Sequence, residues 1–90
     1  MTVRAVQWTA GGDAGVTHAE GVQITLHSSK PFPPGTPAVG TLAQGAMAPV
    51  GFTLKVAGSR KIADGVWEVR GRLLSATNAV TAAFAQAVTA

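Results

Sequence analysis

Two histidines and one glutamate come closest, by residue type, to a metal or acid–base centre. Imidazole binds zinc and can act as a general base near neutral pH, so His18 and His27 are candidates. They lie on separate predicted strands, and Glu20 is the only carboxylate near them. A zinc site needs three or four converging ligands, but the chain has no cysteine and only four Asp and Glu residues. We therefore interpret both histidines as surface residues and predict no metal site, no cofactor and no enzymatic activity.

A glycine-rich segment over 11–15 is the part of the chain that could hold a phosphate. Backbone N–H groups of such loops bind phosphate where Lys-Ser or Lys-Thr follows and a helix begins. Neither feature follows Gly15. Crowded glycines also favour unusual backbone angles, so we predict a turn over 9–15 that joins two strands.

Three cations are predicted to share the outer face of two neighbouring strands. Lys55 lies on one strand and Arg70 and Arg72 lie at alternate positions of the next, with Arg60 and Lys61 in the connecting loop. A basic sheet face can bind nucleic acid or an acidic partner. Solvated charge that only keeps the chain soluble is the simpler alternative, and the residues leave both open.

The aromatic side chains help to decide whether this face binds nucleic acid, because proteins that bind nucleic acid usually stack bases on exposed rings. Phe52 and Trp67 fall on the apolar faces of their strands, which predicts that both belong to the core. Trp8, Phe32 and the alanine-rich C-terminal segment are better candidates for contact with a partner. Phe32 lies among prolines in a loop, where it could anchor a partner or fold back over the core as a lid.

Alternation of apolar and polar residues places these side chains on strands. Glycine and proline clusters separate the strands. If the last hairpin closes near Lys61 and Ile62, Lys55 lies opposite Glu68. The predicted strands are 2–8, 16–20, 22–27, 36–42, 50–56 and 66–74, and the predicted connections include a turn over 43–49 and a loop over 57–65.

The pattern changes its period near the C-terminus. Alanine, the best helix former, dominates there, and apolar residues four apart form one stripe. We predict a helix over about 76–89, capped by Thr77 or Asn78. Its polar face is thin, so the helix is expected to pack through Val80 and Phe84 against the sheet or another chain.

The composition indicates one small, weakly basic domain over residues 1–90. A chain of 90 residues supports a single modest core. Seven Lys and Arg against four Asp and Glu give a net charge of +3, which attracts anions weakly. No run approaches the roughly 18–20 apolar residues of a membrane span, and the first residues lack the apolar centre of a signal peptide. We expect a cytoplasmic chain.

The order of these elements resembles a known family. A strand–turn–strand unit with a glycine at its bend precedes the segment KPFPPGT over 30–36, and the strand segment DGVWEVRGRL over 64–73 precedes the terminal helix. From about Gly15 to the C-terminus, the chain is similar to the PilZ domain. The resemblance implies a mainly β fold, a small antiparallel six-stranded β-barrel with a C-terminal α-helix.

The PilZ resemblance also implies a ligand, because many members bind cyclic di-GMP through two motifs. One is Arg-x-x-x-Arg near the N-terminus, and the other is (Asp/Asn)-x-Ser-x-x-Gly on the barrel. This chain keeps Arg4 of the first motif, with Trp8 in place of the second arginine. It keeps Gly21 of the second motif, with Val16 and His18 in place of the polar residues. A lone arginine cannot reproduce a pair of bidentate clamps, and members without these motifs are known as adaptors that bind proteins.

We therefore expect a PilZ-like, non-enzymatic binding or adaptor domain. Its partner would be another protein or a second copy of the chain, and its binding of cyclic di-GMP would be weak or absent. The alternative is a small basic β-barrel that binds nucleic acid. The candidate binding residues are the residual motif positions Arg4 and Gly21 and the surface positions Phe32, Lys55, Arg70 and Arg72.

Overall fold

The fold is a closed β-barrel with one terminal helix. The computed structural model describes residues 6–44 and 47–87. The strands close in the order β1-β2-β3-β6-β5-β4, with every neighbouring pair antiparallel. The predicted mainly β fold, a six-stranded antiparallel barrel with a C-terminal helix, is confirmed. The elements are β1 (Val6–Trp8), β2 (Asp13–Glu20), β3 (Gln23–Ser28), β4 (Pro37–Gln44), β5 (Met47–Ala63), β6 (Val66–Leu74) and α1 (Asn78–Ala87).

Alternate residues of each strand point into the barrel. On β5 the predicted apolar face enters the core, with Phe52, Leu54 and Val56 buried. On β6, Val69 and Leu73 are buried on the inner face. Because successive side chains of a strand point to opposite faces, the charged residues between them lie outside. One contiguous cluster of apolar side chains therefore fills the barrel.

Four aromatic rings form a column through this core, which we call the aromatic column: Phe32, Trp8, Phe52 and Phe84. Successive centroids are 4.8, 5.9 and 4.9 Å apart, and each pair meets edge to face, the arrangement that aromatic quadrupoles favour. Phe84 belongs to α1 and Phe32 to the β3–β4 connection, so the column links the helix to that connection through the barrel.

Trp8 belongs to the column and not to the surface. The ring is only 4 % exposed, and its indole Nε1–H donates a hydrogen bond to Ser28 Oγ at 3.0 Å. The expectation that Trp8 contacts a partner is therefore wrong. Trp8 is the last residue of β1, before a glycine turn, and its side chain lies on the inner face beside Gly40 of β4. The indole fits there because Gly40 has no side chain.

The helix α1 begins at Asn78, slightly later than predicted. Thr77 is its cap, since Thr77 Oγ1 accepts a hydrogen bond from the Val80 N–H at 3.3 Å. Ala83 and Phe84 are buried, and the helix packs against β2 and β4. Of the two predicted arrangements, packing against the sheet is the one observed. The predicted helix end near residue 89 lies outside the described residues.

The last hairpin is longer than predicted, and the expected loop over 57–65 is wrong. Strand β5 continues to Ala63, and the chain turns at Asp64 and Gly65. Two bulges in β5 interrupt the alternation that marks a strand in the sequence, one between Val56 and Gly58 and one between Lys61 and Ala63. Arg60 and Lys61 therefore lie in a strand and not in a loop.

The register of this hairpin also differs from the expectation. Lys55 pairs with Arg72, and Glu68 pairs with Arg60, because the hairpin closes later than position 62. The predicted Lys55–Glu68 pair is therefore absent.

Other strand boundaries shift by a few residues. Strand β2 already begins at Asp13, so the first turn is shorter than predicted. Strands β4 and β5 extend to Gln44 and from Met47, so most of the predicted turn over 43–49 is strand. The part of the predicted first strand before Val6 lies outside the described residues.

Candidate functional site

The outer faces of four adjacent strands form a shallow concavity, which we call the outer groove. It runs across β2, β3, β6 and β5 and has a volume of about 730 Å³. Cross-strand pairing arranges its side chains in two rows. One row contains Glu20, Gln23, Arg72 and Lys55, and the other contains His18, Thr25 and Arg70.

Two β-bulges flank the outer groove. The register of β2 shifts between Val16 and His18, and that of β5 shifts between Val56 and Gly58. Bulges bend a strand and increase its local twist, so β2 and β5 depart from regular strand geometry on either side of β3 and β6. The groove therefore lies between two strands with irregular backbones.

The cations of the groove have no acidic partner in the described part of the chain. Within residues 6–44 and 47–87, no carboxylate oxygen lies within 4.0 Å of the side-chain nitrogens of Lys55, Arg70 or Arg72. All three side chains are exposed. The predicted basic cluster on two adjacent strands therefore forms, and its charge is not neutralised by neighbouring side chains.

The other cations of this hairpin are paired. Arg60 Nη2 lies 3.3 Å from Glu68 Oε1, and Lys61 Nζ lies 3.8 Å from Asp64 Oδ1. Exposed pairs of this kind contribute at most about 1 kcal/mol, but they do cancel charge. The positive field of the hairpin is consequently concentrated at the outer groove.

The remaining candidate residues lie elsewhere. Gly21 lies in the β2–β3 turn beside the groove, with φ of 60°, a left-handed conformation that suits glycine. Phe32 does not line the groove. Arg4 lies outside the described residues, so its relation to the groove stays a prediction.

Phe32 folds back onto the core as a lid, and its ring forms one end of the aromatic column. Its N–H donates to Ser59 Oγ at 3.2 Å, and the Ser59 hydroxyl donates to its carbonyl oxygen at 2.7 Å. The Lys30 ammonium lies 5.5 Å from the centre of the ring, within the range of a cation–π contact. Of the two alternatives that the sequence left open for Phe32, the structure has the lid.

Trp67 is only half-buried and is not part of the core cluster, so its predicted place in the core is wrong. It lies near the start of β6, opposite Ser28 and Lys61. The neighbouring hairpin residues Lys61 to Gly65 are all exposed, because the hairpin extends past the filled part of the barrel. An inner-face position there has little to pack against.

The histidines lie on the outer surface. His18 Nε2 is 3.6 Å from Glu20 Oε2, and both side chains are largely exposed. His27 lies on the outer face of β3, in register with Glu68. Among the described residues, no three His, Cys, Asp or Glu side chains converge as metal ligands would.

Two polar wall residues of the groove, Gln23 and Thr25, are not binding candidates from the sequence. The alternation of β3 does place both outward. The missing information is that β3 pairs with β6, since this pairing joins residues 39 to 49 positions apart and no turn signal connects them.

Comparison with protein-family models, with curated proteins and with solved structures finds no match to this chain. The resemblance to the PilZ domain and the cytoplasmic location stay predictions. Over the described ranges, the chain has no helix whose length and apolar content would suffice to cross a bilayer.

Proposed function

We propose that this chain is a non-enzymatic binding domain, a PilZ-like adaptor that recognises an acidic protein partner through the outer groove. The observation that carries the proposal is the group of three exposed cations, Lys55, Arg70 and Arg72, without a carboxylate within 4.0 Å in the described residues. The carboxylates of an acidic partner neutralise these cations, and the positive field of the groove attracts such a partner.

The chemistry of the groove favours carboxylates on a flexible partner. Arginine donates five N–H groups in a planar fork that fits a carboxylate in a bidentate manner. The Thr25 hydroxyl and the Gln23 amide stand in the same rows and can donate further hydrogen bonds. Because the cations are exposed, each contact is expected to contribute about 1 kcal/mol or less, so the affinity comes from several contacts together.

An acidic protein fits the groove better than nucleic acid does, because the groove has no aromatic lining residue. Four aromatic rings are committed to the aromatic column. Single-stranded nucleic acids gain about 1–3 kcal/mol for each base stacked on an aromatic ring. Without such a platform, a nucleic acid would be held through its phosphates alone.

The adaptor proposal includes weak or absent binding of cyclic di-GMP. Of the two motif positions that the chain keeps, Gly21 offers only backbone groups. The test is isothermal titration of the chain with cyclic di-GMP, for which no saturable heat is expected at micromolar concentrations. A dissociation constant in the micromolar range or tighter would contradict this part of the proposal.

The partner itself is sought by affinity capture from cell extract of the source organism. The wild-type chain is compared with the double variant Arg70→Glu/Arg72→Glu and with Lys61→Glu, a charge reversal outside the groove that changes the net charge half as much. Each is tested with and without nuclease treatment. The proposal predicts proteins with acidic segments that the wild type and Lys61→Glu retain, that the double variant loses and that nuclease does not release.

The second candidate function is nucleic-acid binding, favoured by the same unneutralised cations. Three phosphate contacts on a single strand predict that log K falls with log salt with a slope of about −2. Gel-shift titrations of RNA and DNA over a range of salt concentrations measure it. A flat result at low salt eliminates this candidate, and nuclease-sensitive capture would favour it.

A further inference from the structure

The cations of the outer groove have a fixed spacing along the strand. Arg70 and Arg72 lie on the same face of β6, two residues apart, which corresponds to about 6.6 Å. Lys55 pairs with Arg72 and extends that row toward β5. The two arginines therefore repeat at the spacing of alternate residues in an extended chain, and Lys55 lies one strand to the side, beside Arg72.

The two sides of the groove differ in charge. The cations stand on β6 and β5, whereas the opposite side, on β2, carries His18 and Glu20. Glu20 is the only carboxylate among the groove-lining residues. An anionic group is attracted to one side of the groove and repelled by the other, so a bound ligand has a preferred orientation.

The width of the groove suits an extended chain. Strands β2 and β5 are three strand spacings apart, about 14 Å between backbones, and the side chains of both walls take up part of that width. An α-helix with its side chains is about 10–12 Å wide and fits less well than a single extended segment. Strand pairing is not available at the centre of the groove, because β3 and β6 are each paired on both sides at this level.

We propose that the occupant is an extended segment of a partner protein with carboxylates at alternate positions. These carboxylates point toward Arg70, Arg72 and Lys55, and the residues between them, uncharged or basic, point toward Glu20. This inference rests on the proposed function and adds to it the conformation and the charge pattern of the partner segment.

The main test compares two labelled peptides of equal composition and charge. One alternates Glu and Ser, and the other has all its Glu residues in one block followed by all its Ser residues. Fluorescence anisotropy measures both at ionic strengths of about 0.02 and 0.15 M. The alternating peptide is expected to bind about fivefold or more tightly than the block peptide, and its affinity should fall as salt is added.

Variants of the chain locate the peptide. Arg70→Ala and Arg72→Ala are each expected to weaken binding of the alternating peptide about three- to fivefold. Lys61→Ala, outside the groove, is the matched control and should leave the affinity unchanged. Thermal melting of each variant separates loss of binding from loss of folding.

A further peptide tests the difference in charge between the two sides of the groove. A peptide that alternates Glu with Lys is expected to bind at least as well as the Glu-Ser peptide despite its lower net charge, because Glu20 faces the intervening residues. Glu20→Gln should remove this tolerance for Lys. If the Glu-Lys peptide binds no better to the wild type than to Glu20→Gln, the proposed orientation is wrong.

Three outcomes would overturn the inference. Equal binding of the alternating and block peptides, lost in the arginine variants, would leave the groove as an acidic-partner site without the proposed pattern. Tighter binding of a single-stranded oligonucleotide than of the alternating peptide at both ionic strengths would assign the groove to nucleic acid. No binding of either peptide would remove the inference, while groove-dependent capture of a protein from extract would still support the proposed function.

Discussion

The two faces of the barrel wall differ in what their residues contact. On the inner face, the aromatic column joins Phe32, Trp8, Phe52 and Phe84 by edge-to-face contacts, and the polar atoms beside it are hydrogen-bonded. On the outer face, the groove holds Arg70 and its neighbouring cations without a carboxylate partner in the described residues. The inner face satisfies its own polar groups, whereas the cations of the outer groove are the ones that we propose a partner neutralises.

Under the proposed function, the inner face provides stability and the outer groove provides binding. Burial of large side chains supplies most of the free energy of folding, and exposed charges supply little. Substitutions inside the barrel should therefore change the free energy of unfolding, and substitutions in the groove should change affinity alone. The four predictions below test that separation, in order of decreasing effect on stability.

Truncation of Phe84 is expected to have the largest effect. The ring is fully buried and meets Phe52 at a centroid distance of 4.9 Å, and it anchors α1 to the barrel. Phe84→Ala should lower the free energy of unfolding by about 3–5 kcal/mol, as measured by urea denaturation. Gln86→Ala, at an exposed position of the same helix, is the control and should change it by less than about 0.5 kcal/mol. A loss below about 1 kcal/mol for Phe84→Ala would mean that the helix is not docked through this ring.

A methyl group at Gly71 is expected to have the next largest effect. A Cβ there would lie 2.5 Å from the Lys55 carbonyl oxygen and 2.9 Å from Leu54 Cγ. Because the first of these is a backbone atom, β5 and β6 must separate to admit it. Gly71→Ala should lower the free energy of unfolding by about 2–3 kcal/mol.

Gly51 provides the matched control for this glycine. It lies in β5, and a Cβ there would meet no atom within 4 Å. Gly51→Ala should be neutral or stabilising by up to about 1 kcal/mol. Equal losses for the two variants would show that close strand approach at Gly71 is not the cause.

Removal of the Ser28 hydroxyl is expected to have an intermediate effect. This buried hydroxyl accepts from Trp8 Nε1 at 3.0 Å and from the Lys30 N–H at 3.1 Å, and it donates to the Lys30 carbonyl oxygen at 2.7 Å. Ser28→Ala leaves the buried indole N–H without this acceptor and should cost about 1–2 kcal/mol.

A double-mutant cycle isolates the indole contribution. Trp8→Phe removes the indole donor, so Ser28→Ala should cost less in that background than in the wild type. Additive losses in the cycle would contradict the proposed role of the Trp8–Ser28 hydrogen bond.

Charge reversal in the groove is expected to have the smallest effect on stability and the largest effect on binding. Arg70→Glu/Arg72→Glu should change the free energy of unfolding by less than about 1 kcal/mol, because both side chains are exposed and lack acidic partners in the described residues. The same variant should lose measurable binding of the alternating Glu-Ser peptide. A destabilisation as large as that of Gly71→Ala would show that the two faces are not separate.

The sequence predicts the barrel more fully than it predicts the groove. Alternation on β3, β5 and β6 and the helical period after Leu74 are local signals, and they yield the fold class and the inner face. The bulge between Val56 and Gly58 breaks the alternation of β5, so the extension of this strand was predicted as a loop. The sequence suggests Trp8 as a partner contact, because the residues that bury it, Ser28 and Phe52, are distant along the chain.

The groove could be predicted only in part, for a similar reason. The cations were predicted to lie together because Lys55, Arg70 and Arg72 belong to one hairpin. The opposite wall belongs to β2 and β3, and only closure of the barrel through the β3–β6 pairing brings it beside them. The bend of β5 beside the groove follows from a bulge, which a single sequence signals weakly.

The most direct test of the outer groove as the binding surface is a nuclear magnetic resonance titration. The ¹⁵N-labelled chain is titrated with the alternating Glu-Ser peptide, and the amide shifts of all residues are followed. We predict that the largest changes fall on the amides of Thr25, Lys55, Ala57, Arg70 and Arg72. The indole N–H resonance of Trp8, which donates to buried Ser28, should not shift. Changes concentrated on α1 or on the Phe32 segment, or no saturable change at any residue, would contradict the account.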